Sequence, residues 1–112
     1  MKQALEALLA FRSARDWEQF HDPKNLATAL SIEASELNEL FLWKSAEESR
    51  EADQERVREE IADVLAYALL LCHEFGIEPE LAVLDKIAVN NEKYPVEKAK
   101  GVATKYTELH HE

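Results

Sequence analysis

The sequence predicts an all-α fold, a four-helix bundle, and three observations carry that prediction. Glycine and proline are scarce, 2 and 3 in 112 residues, so long loops and β-turns have little material. Leu, Ala, Glu and Lys, all good helix formers, dominate the chain. Apolar residues recur at helical spacing in successive stretches with helix-start and helix-stop signals between them. A chain of this length is expected to form one domain, residues 1–112, with an ordinary core and no crosslinks.

The first helix is expected over roughly Lys2 to Glu18, where Leu5, Leu8, Leu9 and Phe11 give one apolar face. Asp22 can cap the second, and Pro23 suits its first position. That helix is expected to run to about Lys44. In the polar connection that follows, Ser45 and Glu48 have capping-box spacing and predict a short helical turn. The third helix should start near Asp53 and end at Phe75, with Gly76 as its stop. The fourth should begin around Pro79, with Leu81, Leu84, Ile87 and Ala88 on one side, and end before Pro95. From about residue 96 to 112 no strong period remains, and an extended or partly disordered arm is expected. His110 and His111 in that tail read as a solvated end.

The formal charge is −10, from 23 acids against 13 bases. Such a surface repels DNA, RNA and anionic membranes, which argues against a grip on a nucleic acid polymer. A single nucleotide stays possible, because bound cations reverse a local field. Cys72 is alone, so no intrachain disulfide forms, and its apolar surroundings suit a buried thiol. No apolar run has the length of a membrane span and no leader segment is evident, so a cytoplasmic protein is expected. The stretch Val64 to Cys72 is apolar on every side, and a helix of that kind is buried all round. Four helices from one small chain rarely enclose one of their own. Self-association is therefore predicted, with two-fold symmetry as the default.

Two acidic pairs interrupt these apolar rows. Glu60 and Asp63 stand three residues apart at the entrance of the third helix, and Tyr67 follows on the same face. Glu33 and Glu36 have the same spacing in the second helix, where Glu33 falls in the row Leu30, Glu33, Leu37, Leu40. Antiparallel packing of the two helices brings the pairs face to face. Four clustered carboxylates repel unless a cation sits between them, and all-oxygen ligation selects Mg²⁺, Mn²⁺ or Ca²⁺. Mg²⁺ accepts substrate phosphates as further ligands, so the site reads as a phosphate-handling metal centre. The plainer alternative, a solvated acidic face, stays open at this point. A di-iron bundle needs E-x-x-H on two helices; the two such spacings present, Glu18 to His21 and Glu108 to His111, fall outside the helices that carry the acidic pairs, so that reading is set aside. Glu39, one turn on, could join a second cation or simply be exposed.

The ordered blocks "EASELNELFLWK", "EEIADVLAY" and "KIAVNNEKYP" resemble the MazG-like all-α nucleoside triphosphate pyrophosphohydrolases. "RDWEQFHDPKNL" and "KYTEL" make the dCTP pyrophosphatase branch the nearer likeness. The resemblance covers about residues 11 to 109. It implies Mg²⁺-dependent hydrolysis of a nucleoside triphosphate to monophosphate and pyrophosphate, by attack of a metal-activated water at the α-phosphorus, with Mn²⁺ as a possible substitute. It implies Glu33, Glu36, Glu60 and Asp63 as metal ligands, with Glu36 the candidate to orient or deprotonate the water. It gives Lys86 and Asn90 a phosphate or sugar contact, places Tyr67 near the metals, assigns Trp17 and Trp43 to the base, and puts His21 among the substrate-binding residues. It also implies a homodimer or a dimer-of-dimers tetramer. A dCTP-like pyrimidine substrate is the expectation least secured by the likeness, because the connection after Lys44 looks shorter than in mammalian relatives. Two other readings remain: a non-catalytic helical interaction module, and a nucleotide- or metal-binding regulator.

Overall fold

A computed structural model describes residues 1–109; the expectation for His110 and His111 lies outside the described residues. The described residues are helical, with no strand among them, in the order α1 (Lys2–Ala14), a 3₁₀ turn (Glu18–Phe20), α2 (Pro23–Glu39), α3 (Ala46–Ser49), α4 (Gln54–Glu74), α5 (Pro79–Lys93), α6 (Val96–Ala99) and α7 (Tyr106–Leu109). They fall into two compact units, residues 1–77 and a second that begins at Glu78. Among the described residues no helix is long and apolar enough to cross a membrane.

In the first unit α4 is the axis. α2 packs along it extensively and α1 to a lesser degree. Leu26 of α2 and Leu69 and Leu70 of α4 are buried and form the apolar centre. α1 stops at Ala14, before the expected Glu18, because Asp16 turns into the left-handed region at φ 55°. A short polar side chain tolerates that conformation. The Trp17 N–H then closes the turn on the Arg12 carbonyl at 3.0 Å. α2 opens as expected: the Asp22 carboxylate accepts the Asn25 N–H at 2.8 Å and Pro23 takes the first position.

α2 ends at Glu39, five residues short of the expected Lys44. The N–H groups of Leu40, Phe41 and Leu42 bond three residues back, to Leu37, Asn38 and Glu39, which tightens the last turn. Trp43 then sits at φ 63°, where a helix cannot continue. The Ser45–Glu48 capping box is complete in both directions, at 3.0 and 3.1 Å. The Asp53 carboxylate caps α4 through the Glu55 and Arg56 N–H groups. At the far end Gly76, at φ 64°, permits a Schellman closure, with the Ile77 N–H on the Cys72 carbonyl at 2.9 Å and the Gly76 N–H on His73 at 3.2 Å.

In the second unit the Glu78 side chain caps α5 on the Leu81 N–H, and the helix ends at Lys93, ahead of Pro95. The segment read as an extended arm carries the single-turn helices α6 and α7. Local contacts hold them: Tyr94 meets Tyr106 edge-on at 6.1 Å, and the Lys93 ammonium lies 4.7 Å from the Tyr106 ring centre.

Candidate metal centre

The C-terminal half of α2 lies against the N-terminal half of α4, so the two helices run antiparallel: Glu36, Glu39 and Leu40 share a cavity with Glu60, Arg56 and Asp53. This brings the acidic pairs together. Glu33, Glu36 and Glu60 each offer a carboxylate oxygen, and the three oxygens lie within 4.8 Å of one another. Asp63 follows one turn after Glu60, near enough for its charge to act on Glu33, Glu60 and Tyr67. All four sequence-predicted ligands thus belong to one neighbourhood.

The electrostatics of the cluster are unfavourable as it stands. Burial, followed by the hydrogen bond and charge of Glu36, pushes Glu33 up from 4.5 to about 7. Burial, then the charges of Glu36 and Asp63, also raises Glu60. Burial and the charges of Glu33 and Asp63 raise the Tyr67 phenol. Oε2 of Glu33 and Oε2 of Glu60 are buried without a hydrogen-bond partner. A buried, unpartnered carboxylate oxygen is costly. A hard divalent cation, which takes oxygen ligands, is the partner that this donor set fits.

Two cavities adjoin the cluster. One, of about 450 Å³, is polar, includes Glu36 and Glu60, and holds the cations Lys44 and Arg56. The other, of about 260 Å³, is lined by Trp17, His21, Asp63 and Tyr67, with Arg12 beside them. Here Trp17 stands edge-on to Phe11 at 5.6 Å and His21 edge-on to Tyr67 at 6.4 Å. The predicted residues Trp17, His21 and Tyr67 are therefore brought together next to Asp63. Trp43 is not among them: it is 92% exposed on the turn after α2. Lys86 and Asn90 lie on α5, in the second unit, where the Asn90 carbonyl accepts the Tyr94 N–H at 2.8 Å.

Sequence reasoning missed Arg12. It is 6% exposed, and its Nη1 lies 3.2 Å from Glu74 Oε1 and 3.5 Å from His21 Nδ1. A signal was present, since Arg12 continues the apolar row Leu5, Leu8, Leu9 at helical spacing. It also missed Arg56 and Lys44, which no pattern marked among so many surface charges.

Residues 28–109 match the MazG-like family. The chain is 45% identical over 104 residues to dCTP pyrophosphatase 1 of Rattus norvegicus, covering 88% of this chain and 61% of that protein. It is 42% identical over 106 residues to dCTP pyrophosphatase 1 of Homo sapiens, covering 90% of this chain and 62% of that protein. The chain therefore spans less than two thirds of the length of these relatives. Among solved structures, a pyrophosphatase from Archaeoglobus fulgidus superposes with a TM-score of 0.81 at 45% identity, covering 85% of this chain and 92% of that one.

Proposed function

The chain belongs to the MazG-like family, and from that premise we propose that it is a Mg²⁺-dependent nucleoside triphosphate pyrophosphohydrolase, acting on a dCTP-like pyrimidine deoxynucleotide and releasing monophosphate and pyrophosphate. The observation that carries this reading is the pair of buried, partnerless carboxylate oxygens on Glu33 of α2 and Glu60 of α4, clustered with the Glu36 carboxylate. The relatives named dCTP pyrophosphatase support the substrate class.

Glu33, Glu36, Glu60 and Asp63 would hold the cation. When bound, Mg²⁺ supplies a lowered pKa for a coordinated water and offsets charge on the phosphates. Glu36 is the exposed member of the three-carboxylate cluster, which suits it to orient the attacking water, accept its proton and pass it to solvent. The water oxygen forms the new bond to the α-phosphorus. The bond from that phosphorus to the α–β bridging oxygen breaks, and pyrophosphate leaves with the electron pair. Trp17, His21 and Tyr67 receive the base in the aromatic cavity, beside Asp63. Trp43, exposed on its turn, is available to close over the base or to meet a second copy.

Self-association belongs to the same proposal. Leu65 of α4 is 46% exposed and Phe11 of α1 is 48% exposed, so the first unit leaves part of the apolar stretch uncovered. A homodimer or tetramer is expected by light scattering at micromolar concentration, and a stable monomer there would contradict it. The activity is tested by incubating the protein with each dNTP and NTP and Mg²⁺, then measuring pyrophosphate and monophosphate. Release of both in equal amounts, fastest from dCTP, is expected; no pyrophosphate from any nucleotide would overturn the reading.

A further inference from the structure

The polar cavity beside the acidic cluster carries two cations that the proposed chemistry has not used. Lys44 and Arg56 both line it. Among the described residues neither forms an ion pair or a side-chain hydrogen bond, although seven acids stand between positions 47 and 60. Their charges are felt only at longer range, Lys44 by Glu48 and Arg56 by Glu60. Long basic side chains in an acidic neighbourhood ordinarily settle on a carboxylate. Two acids close to them in sequence are engaged elsewhere: Asp53 accepts two backbone N–H groups of α4, and Glu48 closes the capping box. Glu36, Glu39 and Glu60 also line the cavity, and none of them forms an ion pair with either cation.

The backbone beneath both cations is fixed. Lys44 precedes the capped start of α3, and its N–H bonds the Phe41 carbonyl at 3.1 Å. Arg56 stands in the first turn of α4, its N–H on Asp53. The cavity they share, about 450 Å³, begins at Glu36 and Glu60. The aromatic cavity begins instead at Asp63, one turn further along α4. The acidic cluster thus has an apolar aromatic cavity on one side and a cavity with free cations on the other. A nucleoside triphosphate has the same polarity: a base at one end, a multiply charged phosphate tail at the other.

From this juxtaposition we infer that Lys44 and Arg56 form a pyrophosphate subsite, which holds the β- and γ-phosphates of the substrate and then the departing pyrophosphate. The inference rests on the proposed function and adds to it a direction for the substrate and two positioning residues. Lys44 acts as a point charge, while the Arg56 guanidinium can reach two phosphate oxygens at once. Such groups act on a leaving group more than on a monophosphate, because the charge that develops on bond cleavage lies on the β-phosphate side.

The test is calorimetric titration of inorganic pyrophosphate, with Mg²⁺ present, into the wild-type protein, Lys44→Gln, Arg56→Gln and the double variant. A parallel titration uses deoxycytidine monophosphate. Both side chains are exposed and form no ion pair among the described residues, so the variants should melt as the wild type does. The inference predicts that the double variant loses at least tenfold in pyrophosphate affinity and keeps its monophosphate affinity within about twofold. Its turnover should also resist product inhibition by added pyrophosphate. Equal pyrophosphate affinity in wild type and variant, an equal loss for both ligands, or no pyrophosphate binding by the wild type would overturn it. The proposed activity fails separately: a protein that binds pyrophosphate through these residues yet releases none from any nucleotide keeps the subsite and loses the reaction.

Discussion

Near its start α4 carries Glu60, whose Oε2 is buried with no partner, beside Glu33 and Glu36. At its other end it carries Glu74, whose Oε1 lies 3.2 Å from the guanidinium of the buried Arg12. Both regions bring charge into the packing of one helix against its neighbours. At Glu74 the charges are opposite, and Arg12 also reaches His21, so three segments are tied at one point. At Glu60 the charges are alike, and burial with the charges of Glu36 and Asp63 raises the pKa of Glu60 and of Glu33. A paired buried charge is explained by the fold that contains it. A set of like charges is explained only by something that arrives later. The contrast separates a structural clamp from a binding site within one helix, and each prediction below presses on it.

The largest effect is expected at the cluster. Asp63→Asn and Glu36→Gln should each lower pyrophosphate release by about 100-fold or more, since the charge-stabilising constellation loses a member. Their melting temperatures without metal should be unchanged or higher, because a repelling charge has been removed. Near-normal turnover would defeat the mechanism, and a large drop in melting temperature would make the cluster a second clamp.

The clamp should behave in the opposite way. Glu74→Gln strands the Arg12 charge, and breaking a buried pair costs about 3–5 kcal/mol. The Glu74 side chain is 30% exposed, which reduces this, to an expected loss of about 2 kcal/mol and a fall in melting temperature of about 8 °C. Turnover at a temperature where the variant is folded should stay within about threefold of wild type. Calorimetry and a pyrophosphate assay on the same sample decide it. An unchanged melting temperature would erase the contrast between the two regions.

A smaller effect is expected from pH. The folded-state pKa of Glu33, about 7, lies above its ordinary 4.5. The folded protein therefore holds more protons than the unfolded chain between these values. Its contribution to stability is fully present below pH 4.5 and is lost as pH rises through about 7. Melting in a chelator should thus fall from pH 5 toward pH 7.5, and Glu33→Gln should flatten that fall. Added Mg²⁺ should restore stability at the upper end. An identical pH profile in wild type and Glu33→Gln would show that Glu33 is not held in this way.

The smallest effect on stability concerns Trp43, which sits at φ 63° with its side chain 92% exposed. Asn tolerates that backbone region and nothing is buried at stake, so Trp43→Asn should change the melting temperature by no more than about 2 °C. A rise in KM for the deoxynucleotide with kcat retained would place Trp43 on the base. An unchanged KM would free it from any substrate role.

Much of this protein was legible before any coordinates. Asp22 with Pro23, Ser45 with Glu48, Gly76 and Pro95 mark helix boundaries because caps and stops act within a few residues of chain. The two acidic pairs were legible because spacing by three puts side chains on one helical face, and carboxylates in an apolar row are conspicuous. Family membership followed from the same ordered blocks, and residues 28–109 bear it out. Only the tertiary structure ended α2 at Glu39, since Trp43 turns left-handed and no local residue announces it. Only it paired Arg12 with Glu74, sixty-two positions away, and set Lys44 and Arg56 in a shared cavity with no ion pair among the described residues. Burial, pairing and the orphaning of an oxygen depend on which distant helix arrives opposite. A one-dimensional spacing states which face a residue occupies and not what it meets there.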